Sequence, residues 1–501
     1  MAPLNSANTI RDGSPRDAAE LFVSDLIANA TEAEQEQDRQ GQKKRLLSCA
    51  QDASLVADLG YSKYRGYHNP STGLNVWRGV CYAVPPTGEL RWQPPRVPPP
   101  VLDAPVIDAT SFGPICPQAL PYFPSIPLVP GNEDCLFLNF YAPPGAADLP
   151  VLVWIHGGGY GLGDGTQDMS DITNANDKGF VAVTLQFRLG AFGWLLSGEV
   201  KRRGVVNAGI LDQAFALAWV KRHICQFGGD PSQVTITGES AGAGAVMYHG
   251  IAVKGTLGTL LFKRSIASSP YLPFQYSYDE ALPTARYYAF SQAAGCPSSG
   301  KVYECLVSKD TDTLQRASYA VTQQAPYGYW WVSSPRAFWP VTDNSYIKNR
   351  PSQQFASNKI NGKNLLVGNN ANEGQQFVPT TLTTQDDLVN WLRTAQLPNL
   401  TPAQINTILA VNPNDAITNT TGPYHETNGL TGPTTVQLSQ AANGQHQRAI
   451  NIYAEATFVC PAYWLAAAYS QTGKGGPAQS TRTAWFYQYS VPFASHGGAG
   501  S

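Results

Sequence analysis

The sequence predicts an α/β fold in which a mostly parallel central sheet is covered by helices on both faces. Short apolar runs that end in glycine or polar residues are typical of buried strands, and four of them are "LPVLVWI", "GFVAVTL", "SQVTIT" and "KNLLVG". Between the second and third lies "NAGILDQAFALAWVKRHICQFGG", whose apolar spacing predicts a helix that ends at Gly228 and Gly229. Buried strands separated by helices indicate a parallel sheet, whose ligand sites lie beyond the carboxyl ends of the strands.

Composition excludes several classes of partner. The chain has 501 residues, of which 43% are hydrophobic, and this is enough for a large core. Its 34 basic and 36 acidic residues are balanced without a Lys/Arg block, so we expect no nucleic-acid partner and no anionic membrane surface. No apolar run approaches the roughly 20 residues of a membrane span. No CxxC pair or His/Cys cluster indicates a metal site.

The N-terminal segment differs from the rest. "TEAEQEQDRQGQKKR" is a charged run with few apolar residues, which predicts a poorly ordered tail, and "AAELFVSDLIANA" before it fits a short amphipathic helix. We therefore divide the chain into a charged tail, residues 1–48, and a single domain, residues 49–501. The start of the chain shows no apolar core of a signal peptide.

Two pairs of cysteines each close a short loop. Cys116 with Cys135 and Cys296 with Cys305 have the spacing of disulfide staples, although free buried thiols are the alternative. Such disulfides and three N-glycosylation sequons favour secretion, whereas no signal peptide is visible, so the compartment stays open. The remaining four cysteines lie far apart and cannot be paired from the sequence: Cys49, Cys81, Cys225 and Cys460.

A candidate nucleophile, Ser240, lies in "GESAG" directly after the predicted strand "QVTIT". A tight strand-to-helix turn that exposes a serine Oγ has no room for a Cβ two positions away on either side, which Gly238 and Gly242 satisfy. The pentapeptide alone arises by chance, and a structural glycine turn is the alternative. The preceding strand and the following small-residue helix favour a nucleophile.

A second glycine cluster, "HGGG", ends the predicted strand "LPVLVWI". Bare backbone N–H groups in such a loop can stabilise an oxyanion, and we expect Gly158, Gly159 and Ala241 to supply three donors. Phosphate binding is the alternative for three glycines, but neither a following Lys-Ser/Thr nor GxGxxG spacing is present.

A serine nucleophile needs a base and an acid that orients it, and in one class of serine enzymes the acid and then the histidine follow the serine in the chain. Glu373, in "VGNNANEG", lies in a loop just past a predicted strand. Of the later histidines, His425 lies in a polar loop and His446 in a predicted helix, whereas His496 follows the aromatic strand "TAWFYQYSV". We therefore predict Glu373 as the acid and His496 as the base.

These motifs and others resemble the type-B carboxylesterase/lipase family, the cholinesterase-like branch of the α/β-hydrolases, particularly its fungal members. The matching text runs from about Leu55 onward and includes "WRGVCYAVPPTGELRWQPP", "NEDCLFLNFYAP", "VWIHGGGY", "LQFRLGAFGWL", "PVTDN" and "WFYQYSVPFASHG". The resemblance implies an α/β-hydrolase fold and a serine carboxylesterase that needs no metal or organic cofactor and acts on a small-molecule ester. It implies the following site: the triad Ser240, Glu373 and His496, the oxyanion donors Gly158, Gly159 and Ala241, and the disulfides Cys116–Cys135 and Cys296–Cys305.

The resemblance also implies that Glu239 is a buried structural glutamate rather than a second catalyst. Three features depart from the family pattern. Cys81 stands where the family usually has proline, so its partner is not inherited, and Cys49 is one candidate. Residues 1–48 match nothing in the family, and the family's final helix after the catalytic histidine is expected to be missing, which would loosen His496.

Fewer features of the sequence bear on the identity of the substrate. Tyr160, after the oxyanion glycines, and Trp330 and Trp331, in "PYGYWWVSSPRAFWP", are candidates for the pocket wall, with ordinary aromatic core as the alternative. The proline-rich loop between Cys116 and Cys135 disfavours a long amphipathic lid, so a small or medium soluble ester is favoured over emulsified triglyceride. Two other functions stay open: a same-triad acyltransferase or lactone-forming enzyme of secondary metabolism, and a catalytically silent binding protein. The sequence does not predict the oligomeric state.

Overall fold

The computed structural model describes most of the chain, namely residues 18–28, 31, 49, 51–101, 103, 105–120, 127–323, 337–412, 444–470, 482–489 and 496. Its strands, in chain order, are β1 (Val56–Asp58), β2 (Lys63–Arg65), β3 (Tyr67–Asn69), β4 (Leu74–Cys81), β5 (Val106–Asp108), β6 (Phe137–Ala142), β7 (Leu149–Ile155), β8 (Val181–Leu185), β9 (Gly229–Glu239), β10 (Arg264–Ser268), β11 (Asn364–Asn370) and β12 (Thr483–Tyr489).

The α-helices, in the same order, are α1 (18–28), α2 (Ser170–Ala175), α3 (Gly190–Trp194), α4 (Gly198–Arg203), α5 (Ala208–His223), α6 (Ala241–Ile251), α7 (Ala281–Ala293), α8 (Val302–Ser308), α9 (Thr311–Gln323), α10 (Pro351–Ala356), α11 (Gln385–Trp391), α12 (Pro402–Val411), α13 (Gly444–Ala454) and α14 (Cys460–Ser470). A π-helical turn, Glu455–Val459, joins α13 to α14. Within the described residues, no helix is both long and apolar enough to cross a membrane.

One large sheet forms the centre of the fold, with strand order β12-β11-β10-β9-β7-β8-β6-β4-β3. Neighbouring strands from β12 through β8 pair in parallel, whereas β6, β4 and β3 continue the sheet in antiparallel pairs. A second, three-stranded sheet has the order β1-β2-β5. The mostly parallel central sheet with helices around it confirms the predicted fold class.

The four predicted strands are all present as β7, β8, β9 and β11. Their apolar side chains enter the core, and Val153 of β7, for example, pairs in register with Val183 and Ile236, all three fully buried. The predicted helix is α5, followed by a short 3₁₀ turn, and the chain then reverses at Gly228, where φ is +86°. The sequence reasoning did not identify β10 or the antiparallel strands.

Helix α1 packs against the rest of the molecule. Its residues Ala19, Phe22, Val23 and Leu26 recur at helical spacing and are buried in the main hydrophobic cluster. This confirms the predicted amphipathic helix. It also means that part of residues 1–48 packs on the core, whereas the sequence predicted a poorly ordered tail there. The division of the chain at residue 48 stays a prediction.

Three disulfides are formed. Two of them, Cys116–Cys135 and Cys296–Cys305, are the predicted pairs. The third joins Cys49 to Cys225, so the suggestion that Cys49 is the partner of Cys81 is wrong. The physical reason is position. Cys81 lies at the end of β4, where its thiol donates a hydrogen bond to the Ala83 carbonyl, whereas Cys49 lies beside the end of α5.

Candidate active site

The predicted functional residues follow strands of the parallel part of the sheet. In the order β12, β11, β9 and β7, these strands lead to His496, Glu373, Ser240 and the loop that begins at His156. Because these strands are parallel, their carboxyl ends meet at one edge of the sheet. Sheet order therefore brings together side chains that are far apart in the sequence.

Ser240 lies at the turn between β9 and α6 with φ +56° and ψ −120°, a strained conformation for a residue with a side chain. A Cβ added at Gly238 would lie 2.5 Å from the Gly242 carbonyl carbon, and one added at Gly242 would lie 2.0 Å from the Ile155 carbonyl oxygen. The turn therefore accepts only glycine at both positions. This is the physical basis of the "GESAG" pattern.

The glycine loop after β7 lies directly against this turn. A Cβ added at Gly157 would lie 3.3 Å from the Cβ of Ser240. Ala241 is the first residue of α6, where a backbone N–H has no partner within its own helix. The predicted donors Gly158, Gly159 and Ala241 thus belong to the two segments that meet at Ser240, and their role stays a prediction.

Glu373 is fully buried, and donors surround its carboxylate. Its Oε1 accepts hydrogen bonds from Ser269 Oγ at 2.5 Å, from the Asn370 backbone N–H at 2.6 Å and from Asn370 Nδ2 at 3.1 Å. Its Oε2 lies 2.6 Å from His496 Nδ1. A buried carboxylate is stable only with such partners, and its contact with Nδ1 selects the tautomer in which Nδ1 donates.

The imidazole of His496 is held by aromatic rings as well as by Glu373. Its ring centroid lies 4.4 Å from that of Phe458 and 4.9 Å from that of Phe377, and both phenylalanines are buried. Phe458 belongs to the π-helical turn between α13 and α14, a kind of turn that often occurs at functional sites. Nε2 of the ring lies 3.3 Å from Oε1 of Glu239, the residue before Ser240.

Glu239 has a perturbed carboxyl group. Burial raises its pKa above the usual value for a glutamate, and the neighbouring Glu373 raises it further, whereas His496 opposes both effects. Sequence reasoning assigned Glu239 a structural role and did not foresee its contact with His496. That role stays a prediction.

The other candidates fall in different places. Tyr160 is buried, and its hydroxyl donates to the Tyr271 carbonyl at 3.1 Å, so its place in the pocket wall stays a prediction. Trp330 and Trp331 lie outside the described residues. His446 lies in α13, as predicted. Among the residues that the structure describes, no three His, Cys, Asp or Glu side chains are grouped to hold a metal ion.

Four residues that contact the predicted pair Glu373 and His496 were missed by sequence reasoning: Ser269, Asn370, Phe377 and Phe458. The end of a strand is the signal that could have identified Ser269, because this residue directly follows β10, the strand between β9 and β11. Nothing in the local sequence marks Phe458, which reaches His496 only through the packing of α13 and α14.

The chain is similar to known proteins over most of its length. A model of the carboxylesterase family matches residues 54–496, a range that includes every predicted triad and oxyanion residue. The para-nitrobenzyl esterase of Bacillus subtilis is 34% identical over 329 residues, or 64% of this chain and 63% of that esterase, which is less than two thirds of its length. Lipase 5 of Diutina rugosa is 30% identical over 77% of this chain and 75% of its own.

Solved structures show the same fold. The crystal structure of Aspergillus niger EstA superposes with a TM-score of 0.70 at 31% identity, covering 87% of this chain and 77% of that chain. A para-nitrobenzyl (PNB) esterase structure gives a TM-score of 0.66 at 27% identity and covers 87% of this chain and 80% of its own. Sequence and structure thus agree on the α/β-hydrolase fold, as predicted, and the chain belongs to the carboxylesterase family.

Proposed function

We propose that this chain hydrolyses carboxylic esters through an acyl-enzyme on Ser240, with Glu373 and His496 completing a Ser-Glu-His triad. The observation that carries the proposal is the juxtaposition at one sheet edge of a strained serine and a histidine bonded to a buried carboxylate. Ser240 has φ +56°, and His496 Nδ1 lies 2.6 Å from Glu373 Oε2. Family membership and the esterase and lipase relatives support the reaction class.

The reaction has two symmetrical halves. His496 Nε2 takes the proton of Ser240 as Oγ attacks the ester carbonyl carbon, and the oxyanion forms against the N–H groups of Gly158, Gly159 and Ala241. His496 then gives the proton to the leaving alcohol. Water repeats the sequence on the acyl-enzyme and releases the acid.

Glu373 keeps Nδ1 of His496 protonated and stabilises the imidazolium that forms in each half of the reaction. Its own three donors hold Oε1, so that Oε2 stays directed at the imidazole. A carboxylate that is fixed in this way does not need to reorganise as the positive charge develops.

The substrate we propose is a small or medium soluble ester. The described parts of the Cys116–Cys135 loop, residues 116–120 and 127–135, contain no helix, which supports the absence of a long amphipathic lid there. The relatives are named as esterases and as lipases, so their names leave the natural ester open.

The test is intact mass after treatment with a fluorophosphonate, together with hydrolysis of a para-nitrophenyl ester. A serine reacts fast with this reagent only when a base activates it. We expect one adduct on Ser240 in the parent and none in Ser240→Ala or His496→Ala, with activity lost in parallel. His68→Ala, which changes an exposed histidine of β3 at the opposite end of the sheet from β12, is the matched control and should keep both.

A folded parent that takes no adduct would refute the proposal and leave a silent binding protein. Competing alcohols separate hydrolysis from acyl transfer. If millimolar alcohol captures most of the acyl group as a new ester, the chain is an acyltransferase and hydrolysis is its side reaction.

A further inference from the structure

The oxyanion loop, defined here as residues 156–163, is held from outside by the Cys116–Cys135 loop. Gln118, two residues after Cys116, is 1% exposed although its side chain is a polar amide. Its Oε1 accepts from the Gly163 N–H at 2.8 Å, and its Nε2 donates to the Gly163 carbonyl at 3.0 Å. The amide thus pairs with both backbone groups of Gly163 as a neighbouring strand would.

The surroundings of Gln118 fix its orientation. Its Nε2 also donates to the Cys116 carbonyl at 2.8 Å, and its own backbone carbonyl accepts from Gln315 Nε2 of α9 at 3.0 Å. The next residue, Ala119, donates its N–H to the Gly161 carbonyl at 2.7 Å. A buried amide with all these partners has one orientation, because any other would leave polar groups without hydrogen bonds.

Gly163 transmits this contact to the start of the loop. Its φ is +113°, and a Cβ added there would lie 2.2 Å from His156 Nδ1 and 2.9 Å from the Gly157 carbonyl oxygen. The backbone of Gly163 therefore packs directly on the His156 ring, whose other contacts include Phe187, stacked with a 4.4 Å separation of ring centroids. The ring has little room to turn.

His156 in turn holds one peptide group. Its Nδ1 lies 2.8 Å from the Gly157 carbonyl oxygen, and since a carbonyl only accepts, Nδ1 carries the proton. Burial lowers the pKa of His156, which keeps the ring neutral in this tautomer. The Gly157 carbonyl and the Gly158 N–H belong to the same planar peptide and point in opposite directions. Fixing the carbonyl therefore fixes the direction of the Gly158 N–H.

We infer that Gln118 and His156 are positioning residues for the oxyanion hole: Gln118 holds Gly163 against the His156 ring, and His156 holds the Gly157–Gly158 peptide. The inference rests on the proposed function, because it concerns the donor that Gly158 supplies there. Neither side chain touches the substrate. Both act on how well the loop matches the developing oxyanion, so their loss should lower kcat more than it raises KM.

The first test replaces Gln118 with methionine, which keeps the length of the side chain and removes its hydrogen bonds. Loss of a single oxyanion donor costs about 10²–10³ in rate, and a misdirected donor should cost about 10–100-fold in kcat with KM changed by less than about threefold. The inhibition constant of a trifluoromethyl ketone, whose serine adduct places an oxyanion in the hole, should rise by the same factor as kcat/KM falls.

Gln354→Met is the matched control. Gln354 of α10 is also buried, and its amide bonds to the Lys359 carbonyl and to Asn349, both at 2.8 Å. We expect a similar loss of thermal stability but an unchanged kcat and ketone affinity. If Gln118→Met keeps kcat and ketone affinity within twofold of the parent, the inference is wrong while fluorophosphonate labelling of Ser240 still supports the proposed function.

The second test acts at His156 and remains decisive if Gln118→Met does not fold. Asparagine places Nδ2 where His156 has Nδ1 and can donate to the Gly157 carbonyl, whereas leucine cannot. We expect His156→Asn to retain at least tenfold more kcat than His156→Leu. Equal kcat in the two variants would overturn the positioning role, and absence of labelling in the parent itself would instead refute the triad.

Discussion

The two halves of the candidate site are held by different parts of the chain. In one half, the turn of Ser240 is shaped by backbone, since an added Cβ at Gly238 or Gly242 would lie within 2.5 Å of main-chain atoms. Glu373 and His496 are instead held by side chains. The first half therefore tolerates almost no substitution at its turn glycines, but a short sequence motif is enough to recognise it. The second half depends on contacts between distant residues.

The largest effect is expected in the backbone-held half. Gly242→Ala should prevent folding or destabilise the protein by more than about 3 kcal/mol, because its Cβ would lie 2.0 Å from the Ile155 carbonyl oxygen. This oxygen belongs to the backbone and cannot move aside as the end of a flexible side chain could. Gly250→Ala, on the same helix α6, is the control: its Cβ would meet Ile360 at 3.5 Å, an ordinary contact. We expect the control to gain roughly 0.5–1 kcal/mol in denaturant unfolding. Equal stability of the two variants would contradict the argument.

A smaller effect is expected from the side-chain-held half. Ser269→Ala removes the hydroxyl that donates to Glu373 Oε1 at 2.5 Å. A hydrogen bond to a charged group contributes about 1.5–3 kcal/mol, so kcat should fall by about 10–100-fold. The control is Ser265→Ala. Ser265 lies in β10, its hydroxyl is 3.3 Å from Tyr469 Oη, and its loss should leave kcat unchanged. Comparable kcat losses in both would show that Glu373 does not depend on this donor.

The aromatic contact of His496 should matter less. Phe458→Leu keeps an apolar side chain but removes the ring 4.4 Å from the imidazole centroid, and such aromatic pairs contribute about 0.5–1.5 kcal/mol. We expect kcat to fall by about two- to tenfold with the same thermal midpoint within a few degrees. Tyr463→Leu, which changes an exposed ring on α14, is the control for kcat. An unchanged kcat in Phe458→Leu would mean that the Phe458 ring does not help to orient the base.

The smallest effect concerns the boundary between the halves, at Glu239. Because burial raises the pKa of Glu239 in the folded protein, the unfolded chain loses this proton at a lower pH than the folded protein does. Stability therefore falls as pH rises from the unfolded-state pKa to the folded-state pKa, and it is constant above the folded-state pKa. Glu239→Gln lacks this loss. Its thermal midpoint minus that of the parent should therefore increase between pH 4 and pH 8. Glu89→Gln, at an exposed position, is the control. A difference that stays flat or decreases with pH would contradict the raised pKa.

Much of the fold and part of the site could be predicted because their signals are local. Runs of apolar residues identified β7, β8, β9 and β11, and the glycine patterns located the turns that follow β7 and β9. The short-loop disulfides were predictable for the same reason. The pair Cys49–Cys225, with a sequence separation of 176, was not, because the partner of Cys49 depends on where α5 ends relative to the N-terminal segment.

The sequence by itself determined which backbone turns could exist, since a turn that excludes a Cβ must be written as glycine at a definite spacing from Ser240. Only the tertiary structure decided which side chains surround the predicted acid and base, and that Gln118 pairs with Gly163. Glu373 and His496 are 123 positions apart, and Ser269 and Glu373 are 104 apart. Residues so distant meet because parallel strands place their carboxyl ends along one sheet edge, and strand order is set by the packing of the whole sheet.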